Sequence, residues 1–389
     1  MTNTLKKTKY YLVNQSCGPL FVDIANEFTK KGLDTILISG EINKGKNQLD
    51  PQIEVKKLNR YNKSNLLKRL ASWINFAFSL FFKILFAPTN SKWLISTNPP
   101  LAPWFSRLLK IKGCKVVLLI YDIYPEALVA GKIISEKNIL YRIWHSITQH
   151  TYNNALQIIC IGDTMSEYLI SQNNKLASKI ITIPNWNTID FKPYEKKGRI
   201  YKTKRHAENK IHIVYSGNLG ATHDFTTILE TAKALKNDDR FVFSIIGDGY
   251  QKDFILNFIK NNELKNIIWE TFKPVSEIAD VYLSADISLV TMGEGIEKAS
   301  IPSKTFNVIA AGSAILAISP EGSELQKLVV SKQIGCCFKP GEVEKVIHWL
   351  KELAENKEKL LEYRTASKKL SEEYSPKNTA KYVSVMTAC

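Results

Sequence analysis

The sequence predicts an α/β protein of two doubly wound domains, and three observations carry that reading. Strands rich in Ile, Val and Leu alternate with helix-length segments along the 389 residues, the pattern of parallel sheets covered by helices on both faces. The alternation lapses over Phe191 to Asn209, a polar run with Pro193, Gly198 and clustered Lys and Arg. With no apolar period it reads as a linker, and the domain boundary is set near residue 195. A chain of this length with 44% hydrophobic residues also suits two cores better than one or three.

The first domain takes its strands from Tyr10 to Val13, Thr35 to Ile38, Trp93 to Ser96, Val116 to Ile120, Ile158 to Ile161 and Ile180 to Ile183. The second restarts at Ile211 to Tyr215 and continues with Phe241 to Ile246, Ile267 to Trp269, Ile287 to Val290, Ala314 to Ile318 and a short strand near Cys336 to Phe338. Helices fill the gaps, among them Thr226 to Lys236 and Leu325 to Val330. Past Trp349 the chain is helical and charged until Tyr374-Ser375-Pro376 breaks it before a last segment, Asn378 to Met386. The stretch Leu66 to Phe86 is too short, and too interrupted by Lys68, Arg69, Asn75 and Lys83, for a membrane span of about 20 residues. Two readings of it stand: a buried helix covering the first sheet, or a surface helix that meets a bilayer with Phe, Trp and Leu while basic residues meet headgroups.

The net charge of +16 favours anionic partners: nucleic acid, phosphorylated substrates or an acidic membrane surface. Nucleic acid ranks last, because the basic residues are scattered and no zinc-finger spacing or aromatic RNP-type segment accompanies them. The six cysteines form no Cys-x-x-Cys pair and no repeated spacing with histidine, which argues against a metal cluster or a disulfide framework. The start, Met-Thr-Asn-Thr-Leu-Lys-Lys, leads into the first strand without an apolar signal core, so a cytoplasmic location is expected. A dinucleotide fingerprint is missing after that strand, where the chain reads Asn14-Gln15-Ser16-Cys17-Gly18-Pro19.

Three strand exits in the second half carry polar or glycine punctuation: Tyr215-Ser216-Gly217-Asn218-Leu219-Gly220, Gly247-Asp248-Gly249, and the loop and helix from Ile301 to Gly312. In an open parallel sheet, loops at the carboxyl ends of neighbouring strands converge on one ligand. In the third segment Pro302 is placed at the helix start, with Ser303 and Lys304 facing any anion drawn to the exposed N–H groups. A phosphorylated nucleotide is the natural ligand. Gly247-Asp248-Gly249 is not an Asp-x-Asp metal motif, and no other carboxylate cluster suggests a required metal.

These motifs, in this order, resemble the family 4 retaining glycosyltransferases. Within them the chain is similar to the bacterial capsule and O-antigen branch, whose late motif is Pro-Ser-Lys, an aromatic, an acidic position and Ala-Ala-Gly. Ser96-Thr97-Asn98-Pro99-Pro100, Tyr121-Asp122-Ile123-Tyr124-Pro125 and Ile183-Pro184-Asn185 extend the likeness upstream. The resemblance implies the GT-B fold, in which two Rossmann-like doubly wound domains face each other across a cleft. Residues 1–195 would bind the acceptor, 196–375 the nucleotide sugar, and the helix of 376–389 would cross back to the first domain. It further implies transfer of a sugar from a nucleotide-diphosphate donor, UDP-linked by preference, to a polyprenyl-diphosphate-linked saccharide at an anionic membrane surface. Neither metal nor cofactor is required. A nucleotide-sugar 2-epimerase of the same fold and a non-catalytic transferase partner are the alternatives.

By the same resemblance, Lys304 stabilises the leaving diphosphate together with the loop Gly217, Asn218 and Gly220. Many members carry Arg and Lys in that loop, where this chain has Asn218 and His223; an imidazole's charge depends on pH, and a structural hydrogen bond is the other reading of His223. The family's two glutamates fall at Ala299 and Asn307, of which Asn307 retains an amide oxygen for a ribose hydroxyl. Glu294, with Gly295, either supplies sugar contacts or is an exposed loop acid. Gly247 admits the nucleotide to the backbone. Phe272 and Lys273 lie against the base, unless Phe272 packs in the core. Gly18 leaves room for diphosphate and acceptor, although Cys17 stands where members show a second glycine. Asp122 orients the acceptor hydroxyl or takes its proton, or else caps a turn. Front-face attack lets the donor's own phosphate take that proton, so no protein base is demanded.

Overall fold

The computed structural model describes residues 8–43, 48–62, 64–131, 133–191, 193, 210–294 and 301–389. It divides into unit 1, Met1–Asn185 with Pro376–Cys389, and unit 2, Trp186–Ser375.

Unit 1 runs β1 (Lys9–Val13), β2 (Ser16–Cys17), α1 (Pro19–Lys30), β3 (Asp34–Ser39), β4 (Glu41–Ile42), β5 (Glu54–Lys57), α2 (Leu66–Leu85), β6 (Lys92–Ser96), α3 (Ser106–Ile111), β7 (Lys115–Ile120), α4 (Glu126–Ala130), α5 (Ile139–Asn154), β8 (Gln157–Cys160), α6 (Asp163–Gln172) and β9 (Ile180–Thr182). Seven strands pair in parallel in the order β5-β3-β1-β6-β7-β8-β9. The central strands are buried on both sides and read as continuous apolar runs. Two pieces escape the sequence pattern. The edge strand β5 is Glu-Val-Lys-Lys, half exposed and polar enough to discourage further pairing. The other is the short pair β2–β4, where Ser16 Oγ donates to Glu41 Oε1 at 2.7 Å and ties the loop after β1 to the loop after β3.

Helix α2 has a buried side, as the first reading expects, and an exposed apolar side. Trp73, Phe76, Ala77, Leu80 and Ile84 are buried against the unit. Leu67, Ile74, Phe78, Phe82 and Leu85 stay exposed, as does Phe86 just beyond. The intervals of three, four and seven residues among Leu67, Ile74, Phe78, Phe82 and Leu85 gather these side chains on one outer stripe. Lys112 closes the helix, its ammonium donating to Ile84 O, Leu85 O and Ala87 O at 2.7 to 2.8 Å. No helix among the described residues is long and apolar enough to cross a membrane.

Unit 2 runs β10 (Ile211–Ser216), α7 (Thr226–Ala234), β11 (Phe241–Ile246), α8 (Lys252–Asn261), β12 (Ile267–Glu270), α9 (Val275–Ser284), β13 (Ile287–Thr291), α10 (Lys304–Ala311), β14 (Ala314–Ile318), α11 (Glu324–Ser331), β15 (Gly335–Phe338), α12 (Val343–Glu355) and α13 (Lys357–Leu370). Its parallel sheet is ordered β12-β11-β10-β13-β14-β15. Alternate residues of a strand feed opposite cores. Leu316 and Ile318 join Ile228, Ile255 and Leu350 on one face, while Ile315 and Ala317 join Tyr282, Ile309 and Leu325 on the other. The unit is doubly wound, and the strand order reverses between β10 and β13.

Unit 2 begins earlier than the expected boundary near residue 195. Trp186 and Phe191 are buried, Phe191 meets Tyr282 edge-on at 6.2 Å, and Asn187 N–H donates to Tyr374 O at 3.0 Å. Phe191, at the start of a polar run, joins the second core and draws the start of the unit with it. The loop-helix-strand segment also differs in one detail. Helix α10 opens at Lys304 with Ser303 as its cap, and Pro302 lies outside it, where its carbonyl accepts Thr305 N–H at 2.9 Å. Gly312 ends the helix as the sequence predicts, in the left-handed region at φ 73°.

The last helix, α14 (Thr379–Ala388), belongs to unit 1. It buries Tyr382, Val383 and Met386 and packs along α1, and Lys92 Nζ donates to Met386 O at 3.0 Å and Thr387 O at 3.2 Å.

Candidate functional site

The reversal of strand order in unit 2 opens a crevice at the carboxyl ends of β10 and β13, where open α/β sheets take their ligands. Three loops meet there and are laced by hydrogen bonds. Gly217 N–H donates to Ile246 O at 3.0 Å and Leu219 N–H to Asp248 O at 2.9 Å. Gln251 Nε2 donates to Gly220 O and His223 O at 2.6 and 2.7 Å. Gly293 N–H reaches Thr222 O at 2.6 Å, and Thr291 Oγ1 accepts Asp224 N–H while donating to Asp224 O. Gly247 makes the closest approach: at φ 158°, a Cβ there would stand 1.9 Å from Gly217 O.

Lys304 opens α10 beside these loops. Its Nζ is closed off from solvent, makes no hydrogen bond among the described residues, and sits 3.3 Å above the centre of the Tyr215 ring. The aliphatic stem passes alongside Gly217, where a Cβ would stand 3.6 Å from Lys304 Cδ. Burial holds the ammonium well below its usual pKa. The first turn of α10 has no acid, and the exposed Ser303 makes no capping bond. A helix start and a buried ammonium with three free donors together call for an anion.

His223 is not a second cation here. Its Nδ1 accepts the Gly220 N–H at 3.2 Å and lies 3.2 Å from Tyr215 Oη, which leaves the ring hydrogen on Nε2. Burial, with help from nearby Lys304, pushes its pKa down to about 4. The expected pH-dependent charge is therefore corrected: His223 is neutral through the physiological range, because desolvation and a neighbouring ammonium both oppose the imidazolium. Tyr215 Oη donates to Asn218 O at 2.5 Å and pins the middle of the loop. Asp248 is engaged by Lys252 at 3.2 Å and by the Gly249 N–H at 2.8 Å, which lower its pKa.

The remaining unit 2 residues divide. Asn307 Oδ1, expected to face a ribose hydroxyl, accepts the Thr188 N–H at 2.9 Å instead and fastens the first residues of the unit to α10. Phe272 is 54% exposed, so core packing does not explain it. Lys273 is paired at 3.0 Å with Glu270. Glu294 is exposed at the end of its loop. Gly295 and Ala299 lie outside the described residues.

In unit 1, Gly18 caps α1 without a side-chain bond, and a Cβ there would meet nothing within 4 Å, so open space lies over that helix start. Asp122 follows β7. Its N–H and that of Tyr121 donate to Thr97 Oγ1 at 3.3 and 3.0 Å, so the loop after β6 holds the loop after β7. The Asp122 residue is exposed, yet the protein crowding its carboxyl raises its pKa. Beside it stand Tyr61, bonded to Arg69, and Tyr124. Arg69 lies 5.7 Å over the ring of Trp73, which packs edge-on to Tyr124 at 5.9 Å. Sequence reasoning missed Arg69, Thr97 and Tyr215 as site residues, although Thr97 and Tyr215 lie inside motifs it singled out.

Comparison with known proteins bears on both units. Residues 196–370 match the family described as glycosyl transferases group 1. The chain is 26% identical over 302 residues to WbjE of Pseudomonas aeruginosa, named a probable glycosyltransferase, covering 77% of this chain and 75% of that one. It is 25% identical over 295 residues to WcaI of Escherichia coli (strain K12), whose name reads "Putative colanic acid biosynthesis glycosyl transferase", covering 72% and 71%. Among solved structures, HepE of Anabaena in complex with UDP matches with TM-score 0.72 at 12% identity, covering 98% of this chain and 100% of that one. WaaG, a glycosyltransferase involved in lipopolysaccharide biosynthesis, matches with TM-score 0.70 at 12% identity and the same coverage. The fold is that of these two-domain GT-B structures.

Proposed function

We propose, on the premise that residues 196–370 form a group 1 glycosyltransferase domain, that this chain is a retaining transferase of bacterial capsule or O-antigen assembly. It moves a sugar from a nucleotide-diphosphate donor, UDP-linked, to a polyprenyl-diphosphate-linked saccharide. The observation that carries this is Lys304: a buried ammonium without an acceptor among the described residues, at a helix start, at the switch point of a parallel sheet. The names of WcaI and WaaG, in colanic acid and lipopolysaccharide biosynthesis, support the pathway class.

As the glycosidic bond breaks, negative charge grows on the leaving diphosphate. Lys304 and the N–H groups opening α10 stabilise it without a metal or another cofactor. The same phosphate takes the acceptor proton on the face the sugar keeps. Asp122 orients the acceptor hydroxyl toward that phosphate. Exposed Phe272 offers a face to the base, and Glu294 faces the donor sugar. Neutral His223 serves the loop.

Calorimetric titration with UDP and GDP, with and without magnesium, tests the donor side. UDP is expected to bind in the micromolar range whether or not magnesium is present. If neither nucleotide bound at millimolar concentration, the catalytic reading would fall and a non-catalytic transferase partner would replace it.

A lipid-linked acceptor would bring the enzyme to the inner face of the cell membrane, and two features of unit 1 support that reading. The outer stripe of α2 exposes Phe78 by 65% and Leu67 by 78%, and α5 separately exposes Ile139, Leu140 and Ile143. No Asp or Glu occurs between Glu54 and Asp122, whereas Lys68, Lys83, Arg107 and Lys110 stand exposed in that interval. Apolar insertion and attraction to anionic headgroups are the two signals that together hold a protein on a bilayer. Co-sedimentation with vesicles of phosphatidylglycerol should exceed that with phosphatidylcholine, fall with salt, and drop at least tenfold in Phe78→Asp. Equal binding to both lipids at every salt concentration would contradict it.

A further inference from the structure

Lys304 Nζ has no acceptor among the described residues, and a buried ammonium with three unmet donors favours either neutralisation or escape to water. What it has instead is the face of Tyr215, whose ring centre lies 3.3 Å away, within the range of a cation–π contact. That ring does not move freely. Tyr215 is 1% exposed, meets Phe225 edge-on at 4.9 Å, and is tethered through Oη to Asn218 O.

One side chain thus touches both halves of the anion site, with its face on the cation and its hydroxyl on the loop. We propose that Tyr215 is the positioning residue of the diphosphate site: its ring keeps Lys304 charged and in place before the nucleotide arrives, and the arriving phosphate oxygens then accept the N–H bonds that the ring cannot. The proposal rests on the donor-site reading above. The ring face and the hydroxyl separate cleanly, since phenylalanine keeps the first and loses the second.

Among the described residues, the ionisable groups around Lys304 are few. His223 lies on the loop and is neutral, Tyr282 is felt by Tyr215 from α9, and both tyrosines have their pKa raised by burial. The alkaline limb of anion binding therefore reports Lys304 itself.

The test is the affinity of the full chain for inorganic pyrophosphate and for UDP, measured from pH 6 to 10 in wild type, Tyr215→Phe, Tyr215→Leu and Lys304→Ala. Phe is expected to bind within about threefold of wild type with the same alkaline limb. Leu is expected to bind about tenfold more weakly, with the limb moved to lower pH, because an ammonium without its π face loses its proton sooner. If Leu does not fold, Tyr215→Met supplies the same loss of the ring in a more adaptable shape. A Leu or Met variant with wild-type affinity and an unmoved limb would overturn the proposal. So would a Phe variant as weak as Leu, since the hydroxyl would then be the part that matters. Lys304→Ala distinguishes the levels: if that change left binding intact, the diphosphate site itself would be wrong, whereas loss in Lys304→Ala with an indifferent Leu variant would sink Tyr215 alone.

Discussion

Lys304→Ala should lower kcat about 100- to 1,000-fold while changing stability by no more than about 1 kcal/mol. The first effect is the usual consequence of removing one preorganised donor from a developing oxyanion. The second sets it apart from ordinary damage. Most truncations of a buried side chain open a cavity and destabilise. Here the truncation also removes an ammonium whose donors are unsatisfied and whose burial is unfavourable, so the two effects oppose each other. Lys304→Met fills the same space without the charge, and its melting temperature should match or exceed that of wild type. Turnover with a competent donor and acceptor, read beside a thermal melt, checks both halves. A variant that lost activity only because it had lost its fold would defeat the interpretation.

Gly247→Ala is expected to cost about 2–4 kcal/mol and to abolish nucleotide binding with it. Two causes act together. The residue sits at φ 158°, which a side chain disfavours, and the added Cβ would lie 1.9 Å from a backbone oxygen of Gly217 that has no rotamer in which to retreat. The loop of Gly217 to Gly220 must then move as a body, taking with it the Gly217–Ile246 and Leu219–Asp248 bonds. Hydrogen exchange at Gly217 and Leu219 should rise selectively, with the melt of unit 2 lowered. Gly18→Ala is the control: its Cβ would meet nothing, and stability should stay within about 0.5 kcal/mol.

The parts of this fold that were legible were those in which burial dictates residue type. Central strands such as Phe241–Ile246 and Ala314–Ile318 are buried on both faces and announce themselves as apolar runs. The edge strand Glu54–Lys57 does not, because an edge is kept polar. Trp186 and Phe191 were hidden by their polar neighbours. Helix α2, apolar almost all round, could not say which side met the sheet; only the packing of Trp73 and Leu80 decides it. At the site, the loops and Lys304 were visible as punctuation and charge. Tyr215 beneath Lys304 was not, since the two are brought together by strand order, not by spacing. The fate of Asn307 was hidden for the same reason: its partner Thr188 lies in the stretch next to the apparent linker.

Helix α14 has a consequence for how the chain is made. Unit 2 is one continuous segment, while unit 1 needs residues 376–389, which leave the ribosome after all of unit 2. Domains fold as they emerge, from the amino end. The sheet of unit 1 can assemble early, but α1 waits with one side uncovered until Tyr382 and Met386 arrive to be buried with it. In that interval unit 2, though second in sequence, can already close. Unit 1, which precedes unit 2 in the chain, is completed only after it.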